Sequence, residues 1–390
     1  MKRILITSSD AMMYQFLLRH IRYLAEHGYE VDCGCFAAEG YEGQNYFQRI
    51  KRALPQNSHL YKIHTHRSPL SAGNYRGLSE LKKMIRDGRY DIVWTNEPVM
   101  GFLTRMAAES QRKSGLKVMY IAHGFHFYRG APAKNWALFY PAERAMARVT
   151  DLLVTINRDD YALAQKDFQS TRVAYIHGVG FDGERFASAP EKRREMREKF
   201  GIPQDAFLVL SVGELNENKN HRVVIDALSD LARKGNKTVY YLVCGEGDQR
   251  ENLTRQAEGS PMAGRIMLPG FCENIEEICK AADLYCFPSI REGLSVSLME
   301  AMSCGLPVVC SDIRGNRDLI VAEEGGWLCD SGDASAFAGA IADCLQNREK
   351  AKRFGERNRK AVGEFSFDSV CREVFSLIDG LGEQTAEREN

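Results

Sequence analysis

Two short stretches in the second half of the chain carry residues that could grip a phosphorylated ligand. In the first, the apolar run Val209-Leu210-Ser211-Val212 ends at Gly213, and Lys219 follows six residues later. Gly213 lets the chain turn sharply at a strand exit, and Lys219 then stands at the mouth of the next helix. An ammonium beside the unpaired N–H groups of a helix start suits a phosphate. Taken alone, the same lysine is also what an ordinary strand-to-helix loop carries on its surface. The second stretch runs from Pro288 through Arg291, Glu292, Gly293, Leu294, Ser295 and Ser297 to Glu300. Gly293 permits close backbone approach, and Ser295 or Ser297 can cap the helix that follows. The positive end of that helix can hold an anion without a metal. Glu300 is out of place among Leu298, Met299, Ala301 and Met302. A carboxylate there is costly unless something hydrogen-bonds it, and ribose hydroxyls would do so. A partly exposed glutamate on an amphipathic helix is the plainer reading. Two glutamates flanking one anion-binding turn favour the ligand.

The first half offers a histidine instead. After Val118-Met119-Tyr120-Ile121-Ala122 comes His123-Gly124-Phe125-His126-Phe127-Tyr128-Arg129-Gly130. His123 is the stronger candidate for chemistry and His126 the second. A structural histidine hydrogen-bonded within a loop is the alternative.

These residues need elements to hold them. Strands are expected at Ile4–Thr7, Tyr29–Phe36, Ile92–Thr95, Val118–Ile121, Leu152–Thr155 and Val173–Ile176, with helical periods between most of them. Beyond Arg185 comes the charge-dense stretch Glu191 to Lys199, in which acids interleave with bases. It reads as a solvated helix face within the boundary stretch Ala187 to Asp205, in preference to a basic membrane-facing patch. The alternation then restarts, with strands at Phe207–Val212, Val239–Cys244, Ile266–Leu268, Leu284–Phe287 and Pro307–Cys310. Strands alternating with helices imply an α/β chain whose parallel sheets are covered on both faces. At 390 residues the chain is long enough for about two to three domains. The reading is two doubly wound domains, 1–186 and 187–365, and a frayed tail from Glu383 to Asn390. Open α/β sheets bind ligands outside the carboxyl ends of their strands, so two facing each other would form a cleft.

Composition narrows the classes further. Lys plus Arg and Asp plus Glu both total 52, so bulk charge gives no reason to expect nucleic acid as a partner. The eleven cysteines include no C-x-x-C and lie mostly in apolar stretches, as small hydrophobes in a reducing compartment. That spacing argues against zinc. The N-terminus enters a strand directly, and no run approaches about 18 apolar residues, so a cytoplasmic protein is expected.

The residues Glu292-x7-Glu300, followed by Ala301-Met302-Ser303-Cys304-Gly305-Leu306-Pro307-Val308-Val309, closely resemble the signature of retaining glycosyltransferases of the GT-B fold, family 4. Gly213-x5-Lys219 stands where that family has its phosphate-binding loop. Gly245-Glu246-Gly247 and Pro269-Gly270-Phe271 resemble its other strand-end turns, and Gly325-Gly326-Trp327-Leu328 its late turn before the C-terminal helices. The resemblance implies two Rossmann-like domains facing across a cleft, with a final helix, 366–383, packed back on the first. It implies that Lys219 holds the diphosphate of a nucleotide sugar, with a UDP-sugar the commonest donor. Glu300 would bind the ribose, Gly293, Leu294 and Ser295 would meet phosphate or sugar through their backbone, and Phe271 would lie beside the base. Glu292 would contact the sugar ring and stabilise developing oxocarbenium charge. Glu214 stands where many members have an arginine, which leaves charge neutralisation to Lys219, the helix dipole and Arg291. His123 matches the family's cleft histidine. The first-strand glycine pair is replaced by Thr7-Ser8-Ser9-Asp10, so acceptor contacts fall to Ser9, His126 and Arg129.

The aromatic loop, with Trp136-Ala137-Leu138-Phe139-Tyr140-Pro141-Ala142-Glu143, is similar to bacterial enzymes of capsule and exopolysaccharide synthesis. Those act on a polyprenyl-diphosphate-linked acceptor, which implies peripheral contact with the inner membrane face. Arg129, Arg144 and Arg148 would suit its diphosphate. Trp136, Leu138 and Phe139 can equally be core. The resemblance implies no cofactor and no metal, the nucleotide sugar being a co-substrate. A nucleotide-sugar 2-epimerase shares the architecture, but Glu292 and Glu300 argue against it. A non-catalytic sugar-nucleotide-binding subunit would not need Glu292, Lys219 and Glu300 intact.

Overall fold

The computed structural model describes residues 2–36, 41–66, 68–186, 191–236 and 238–386. Contacts part the chain into two compact units, residues 2–180 with 367–386, and residues 181–366. The first is built on strands β1 (Lys2–Asp10), β2 (Tyr29–Phe36), β3 (Leu60–Lys62), β4 (Ile92–Asn96), β5 (Lys117–Ala122), β6 (Leu152–Thr155) and β7 (Arg172–Tyr175). Their order across the sheet is β3-β2-β1-β4-β5-β6-β7. The second unit has β8 (Phe207–Val212), β9 (Val239–Cys244), β10 (Ile266–Gly270), β11 (Leu284–Phe287), β12 (Val308–Ser311) and β13 (Gly326–Cys329), in the order β10-β9-β8-β11-β12-β13. Every strand pairing is parallel. Helices cover both faces, which is why β6, β8 and β11 read as nearly unbroken apolar runs. Both units are doubly wound and Rossmann-like, as the alternation of elements implies.

Each sheet reverses its winding once, between β1 and β4 and between β8 and β11. Connections from the two central strands leave in opposite directions there and open a crevice at the carboxyl ends. Gly213–Lys219 follows β8, and Pro288–Ser295 follows β11. Ser9 is next to last in β1, Glu97 follows β4 and His123 follows β5. The fold thus gathers each set of candidate residues at the switch point of its own sheet.

One strand escapes the sequence pattern, and three expectations need correction. The three-residue edge strand β3 carries no pattern long enough to read, with only Leu60 buried. Gly326-Trp327-Leu328 forms part of β13, a strand and not a turn. A Cβ on Gly326 would collide with the Val308 carbonyl oxygen, so the glycine serves close strand approach. The helix Glu191–Lys199 is solvated on one side only, because Met196 and Arg197 are buried. The final helix runs from Phe367 through Ala386, so residues 383–386 continue it and do not fray. It packs on the first unit through Phe375, whose ring lies 4.8 Å from His27 and 6.0 Å from Tyr29. The stretch 187–190, at the start of the expected boundary, and residues 387–390 of the expected tail lie outside the described residues. All eleven cysteines are free thiols, nine of them buried.

Candidate active site

In the second unit, the loops after β8 and β11 are tied to one another by asparagines. Asn218 donates through Nδ2 to the Arg291 carbonyl at 3.0 Å, and its own carbonyl accepts from the Ile290 N–H at 2.8 Å. Asn220, at φ 53°, donates to the Ser331 carbonyl at 2.7 Å and the Pro288 carbonyl at 3.3 Å. Its left-handed backbone is one asparagine tolerates. A Cβ on Gly245 would collide with the Gly213 carbonyl oxygen, which holds the β9 loop against the β8 loop.

This frame places the Lys219 Nζ 2.7 Å from Glu292 Oε1 and 5.1 Å over the Phe287 ring. Both partners of the ion pair are about four-fifths withdrawn from water. The Lys219 N–H donates to Asn216 Oδ1 at 2.9 Å, fixing the backbone that carries it. Ser295 caps the helix Val296–Ser303, its Oγ accepting from the Leu298 N–H. Arg314 donates through Nε to the Glu292 carbonyl at 3.3 Å and backs the turn from the next helix. Gly213, Lys219, Glu292, Gly293, Leu294 and Ser295 therefore share one crevice rim, and Arg291 projects from it into solvent. Phe271, after β10, is 76% exposed, an open aromatic face two strands from β8.

Glu300 lies further along the same helix. Burial pushes its carboxyl up to about 7; Arg185 draws it down and Glu276 up. No described residue donates a hydrogen bond to that carboxylate. His221, which opens the helix after β8, is pushed down to about 4 by burial and by Lys219. It adds no charge at neutral pH.

The first unit assembles a second set. Asn96 Nδ2 donates to the Thr7 carbonyl at 3.1 Å, and its Oδ1 accepts from Trp94 Nε1–H at 3.1 Å. Indole N–H can only donate, so the amide orientation is fixed. The same oxygen lies 3.0 Å from His123 Nε2, which must therefore carry the proton, and Nδ1 is left as an acceptor. Burial, and secondarily His20, push His123 down to about 4, so it works as a neutral imidazole. His126 stands apart, its ring 4.6 Å from Phe139, and Arg129 is exposed. Of the aromatic segment, Trp136 is half-buried against the core, packed on Phe127 at 5.6 Å and donating to the Tyr128 carbonyl. Leu138 is 46% exposed.

Glu97 escaped the reading of the sequence. Its Oε2 accepts from Ser8 Oγ at 2.7 Å and from the Ser9 N–H at 2.6 Å, clamping the end of β1 to the end of β4. Its backbone, at φ 63° and ψ 155°, lies where glycine alone is at ease. The only local signal is an acid at a strand end immediately before Pro98, which starts a helix. Glu97→Gly and Glu97→Ala lose the same carboxylate, but only glycine relieves the backbone. Glu97→Gly is expected to be the more stable of the two by about 1 kcal/mol in urea unfolding. The reverse order would show that the backbone stores no strain.

Both units match families of known proteins. Residues 14–178 match the family described as glycosyl transferase 4-like domain, and residues 192–361 match glycosyl transferases group 1. EpsD of Bacillus subtilis (strain 168), which is named as a glycosyltransferase, is 36% identical over 96% of each chain. The UDP-Gal:alpha-D-GlcNAc-diphosphoundecaprenol alpha-1,3-galactosyltransferase of Escherichia coli is 29% identical, covering 68% of this chain and 69% of that one. Among solved structures, Anabaena Alr3699/HepE in complex with UDP and glucose superposes with a TM-score of 0.78 at 18% identity, covering 97% of this chain and 100% of that one. Two Rossmann-like units with both switch points furnished in this way, and a relative matched from end to end, make the chain a member of the family 4-like glycosyltransferases of the GT-B fold.

Proposed function

We propose that this glycosyltransferase moves a sugar from a UDP-sugar to a polyprenyl-diphosphate-linked glycan, with retention of configuration, during capsule or exopolysaccharide assembly. The donor reading rests chiefly on one observation, the Lys219–Glu292 pair at the β8/β11 switch point. It sets one ammonium beside a capped helix start, where a diphosphate would be neutralised without a divalent metal. Phe271 then faces the uracil and Glu300 the ribose hydroxyls. On the acceptor side, Ser9, Glu97 and His123 line the other switch point, with His126 and Arg129 beyond them. The acceptor oxygen attacks the anomeric carbon from the face the diphosphate leaves, the carbon–oxygen bond to phosphate breaks, and the acceptor proton passes to the departing phosphate oxygen. Positioning and charge stabilisation supply the rate. Support for the lipid-linked acceptor comes from the E. coli relative, whose name specifies one. Among the described residues no helix is long and apolar enough to cross a membrane, so any contact with the cytoplasmic leaflet would be peripheral. The test is a thermal-shift panel of UDP, GDP and ADP with their sugars, run with and without EDTA. The largest shift should come with UDP and survive the chelator; a preference for GDP or a need for metal would sink the donor reading.

Glu300 makes the ribose contact testable by pH. Hydroxyls donating to its carboxylate favour the charged form, so nucleotide binding must lower a carboxyl that starts at about 7. Below that pH the free protein holds a proton that the complex releases. The affinity of uridine, which carries no phosphate to titrate in this range, should therefore rise from pH 5 to 7 and level off above. Calorimetry at pH 6 in two buffers should show close to one proton released per uridine bound. Glu300→Gln should abolish the slope; a flat profile in the unaltered protein would remove Glu300 from the ribose site. The same raised carboxyl subtracts stability from the ligand-free fold as pH climbs from the ordinary glutamate range to about 7.

A further inference from the structure

An apolar groove of about 270 Å³ opens on the first unit between the helix Pro98–Ala108, the helix Ala133–Met146 and the segment around Leu70. Its walls include Leu70, Pro98, Val99, Phe102, Leu138 and Phe139. Leu70 is 89% exposed. A single exposed leucine means little, but apolar side chains from three segments converging on one concavity form a binding surface. Glu143 lines it as well, its carboxylate paired at 2.8 Å with the buried Arg105.

Two features say what the groove receives. It borders the acceptor-side residues: Pro98, in its wall, directly follows Glu97, and the ring of Phe139, also in its wall, lies 4.6 Å from that of His126 in the loop that begins at His123. Two cations stand close by in the chain. Lys134 lies one helical turn before Leu138 on the same face, and Arg129 is exposed in the loop; neither is paired with an acid among the described residues. The complementary ligand has a hydrocarbon tail joined to an anionic head that sits near Glu97 and His123. We propose that this groove holds the first isoprene units of the acceptor's polyprenyl chain, with Lys134 and Arg129 facing its diphosphate. The assignment rests on the lipid-linked acceptor proposed above. A bilayer would meet a projecting surface; a concavity beside the acceptor-side residues takes a single chain.

Farnesyl diphosphate is the probe, with inorganic diphosphate as its tail-less counterpart. The full-length protein should bind farnesyl diphosphate about tenfold more tightly or better, the effect of burying a few methylene groups. Leu70→Glu with Leu138→Glu, both exposed positions, should erase that preference and leave UDP affinity unchanged. Equal affinity for the two probes in the unaltered protein would overturn the assignment, as would a double variant that keeps the preference. So would a variant that loses only sedimentation with phosphatidylglycerol vesicles, because the face would then meet the bilayer itself. The underlying reading is judged by whether the unaltered protein labels undecaprenyl-diphosphate-linked sugars from a radiolabelled UDP-sugar. Labelling without a prenyl preference rejects the groove alone; no labelling rejects the lipid-linked acceptor and the groove with it.

Discussion

Glu292→Ala should reduce turnover by about 10²–10³-fold and leave UDP binding as tight as before, or tighter. The loss of rate is what removing one preorganised charge from a developing transition state typically costs, about 2.7–4 kcal/mol. The effect on binding has the opposite sign because of how the site rests without donor. The Lys219 ammonium is then engaged by Glu292 Oε1 at 2.7 Å, and an arriving diphosphate must share or displace that carboxylate. Deleting the acid frees the cation and removes a negative charge beside the phosphates. Lys219→Ala does the reverse. It takes away the cation and leaves Glu292 facing the diphosphate, so UDP affinity should fall by about 1.5–3 kcal/mol. Turnover falls in both variants and binding separates them, by calorimetry with UDP and a UDP-release assay. If Glu292→Ala weakens UDP as much as Lys219→Ala does, the glutamate belongs to the diphosphate cradle and has no separate part at the sugar.

That crevice could be read from the chain because its parts are local. β8 and β11 are buried on both faces, so each shows as an apolar run that stops where the loop begins. Gly213, Gly293 and Ser295 mark the turns and the cap. What the chain does not display is pairing across distance. Glu97 meets Ser8 and Ser9 from nearly ninety residues away, and nothing in Asn96-Glu97-Pro98 announces a positive φ. The glycine at the head of β13 misleads for a related reason. Close strand approach and a sharp turn both call for a residue without a side chain, and only the Val308 carbonyl beside Gly326 distinguishes them. The charged helix Glu191–Lys199 misleads through composition. Arginines in a run of mixed charge look alike until the fold buries one of them.

That buried arginine underlies a large stability effect of a single substitution. Arg197 is fully buried and every nitrogen of its guanidinium has a partner: Nη2 donates to Asp283 Oδ2 at 2.7 Å, Nε to the Ala281 carbonyl, and Nη1 to the carbonyls of Pro203, Gln204 and Ala206. Asp283 also accepts from Arg193 at 2.7 Å and from the Leu208 N–H at 2.8 Å, at the start of β8. Asp283→Ala would strand a buried cation and an N–H together and should cost about 3–5 kcal/mol. Arg197→Met leaves the aspartate its other two partners and puts an apolar chain in a buried place, so it should cost less. The double variant should then be more stable than Asp283→Ala alone, because no unpaired charge remains to be buried. Urea unfolding of the three variants checks the order. Equal losses for Asp283→Ala and the double variant would mean that the stranded arginine finds water, and that the pair acts as a surface ion pair despite its burial.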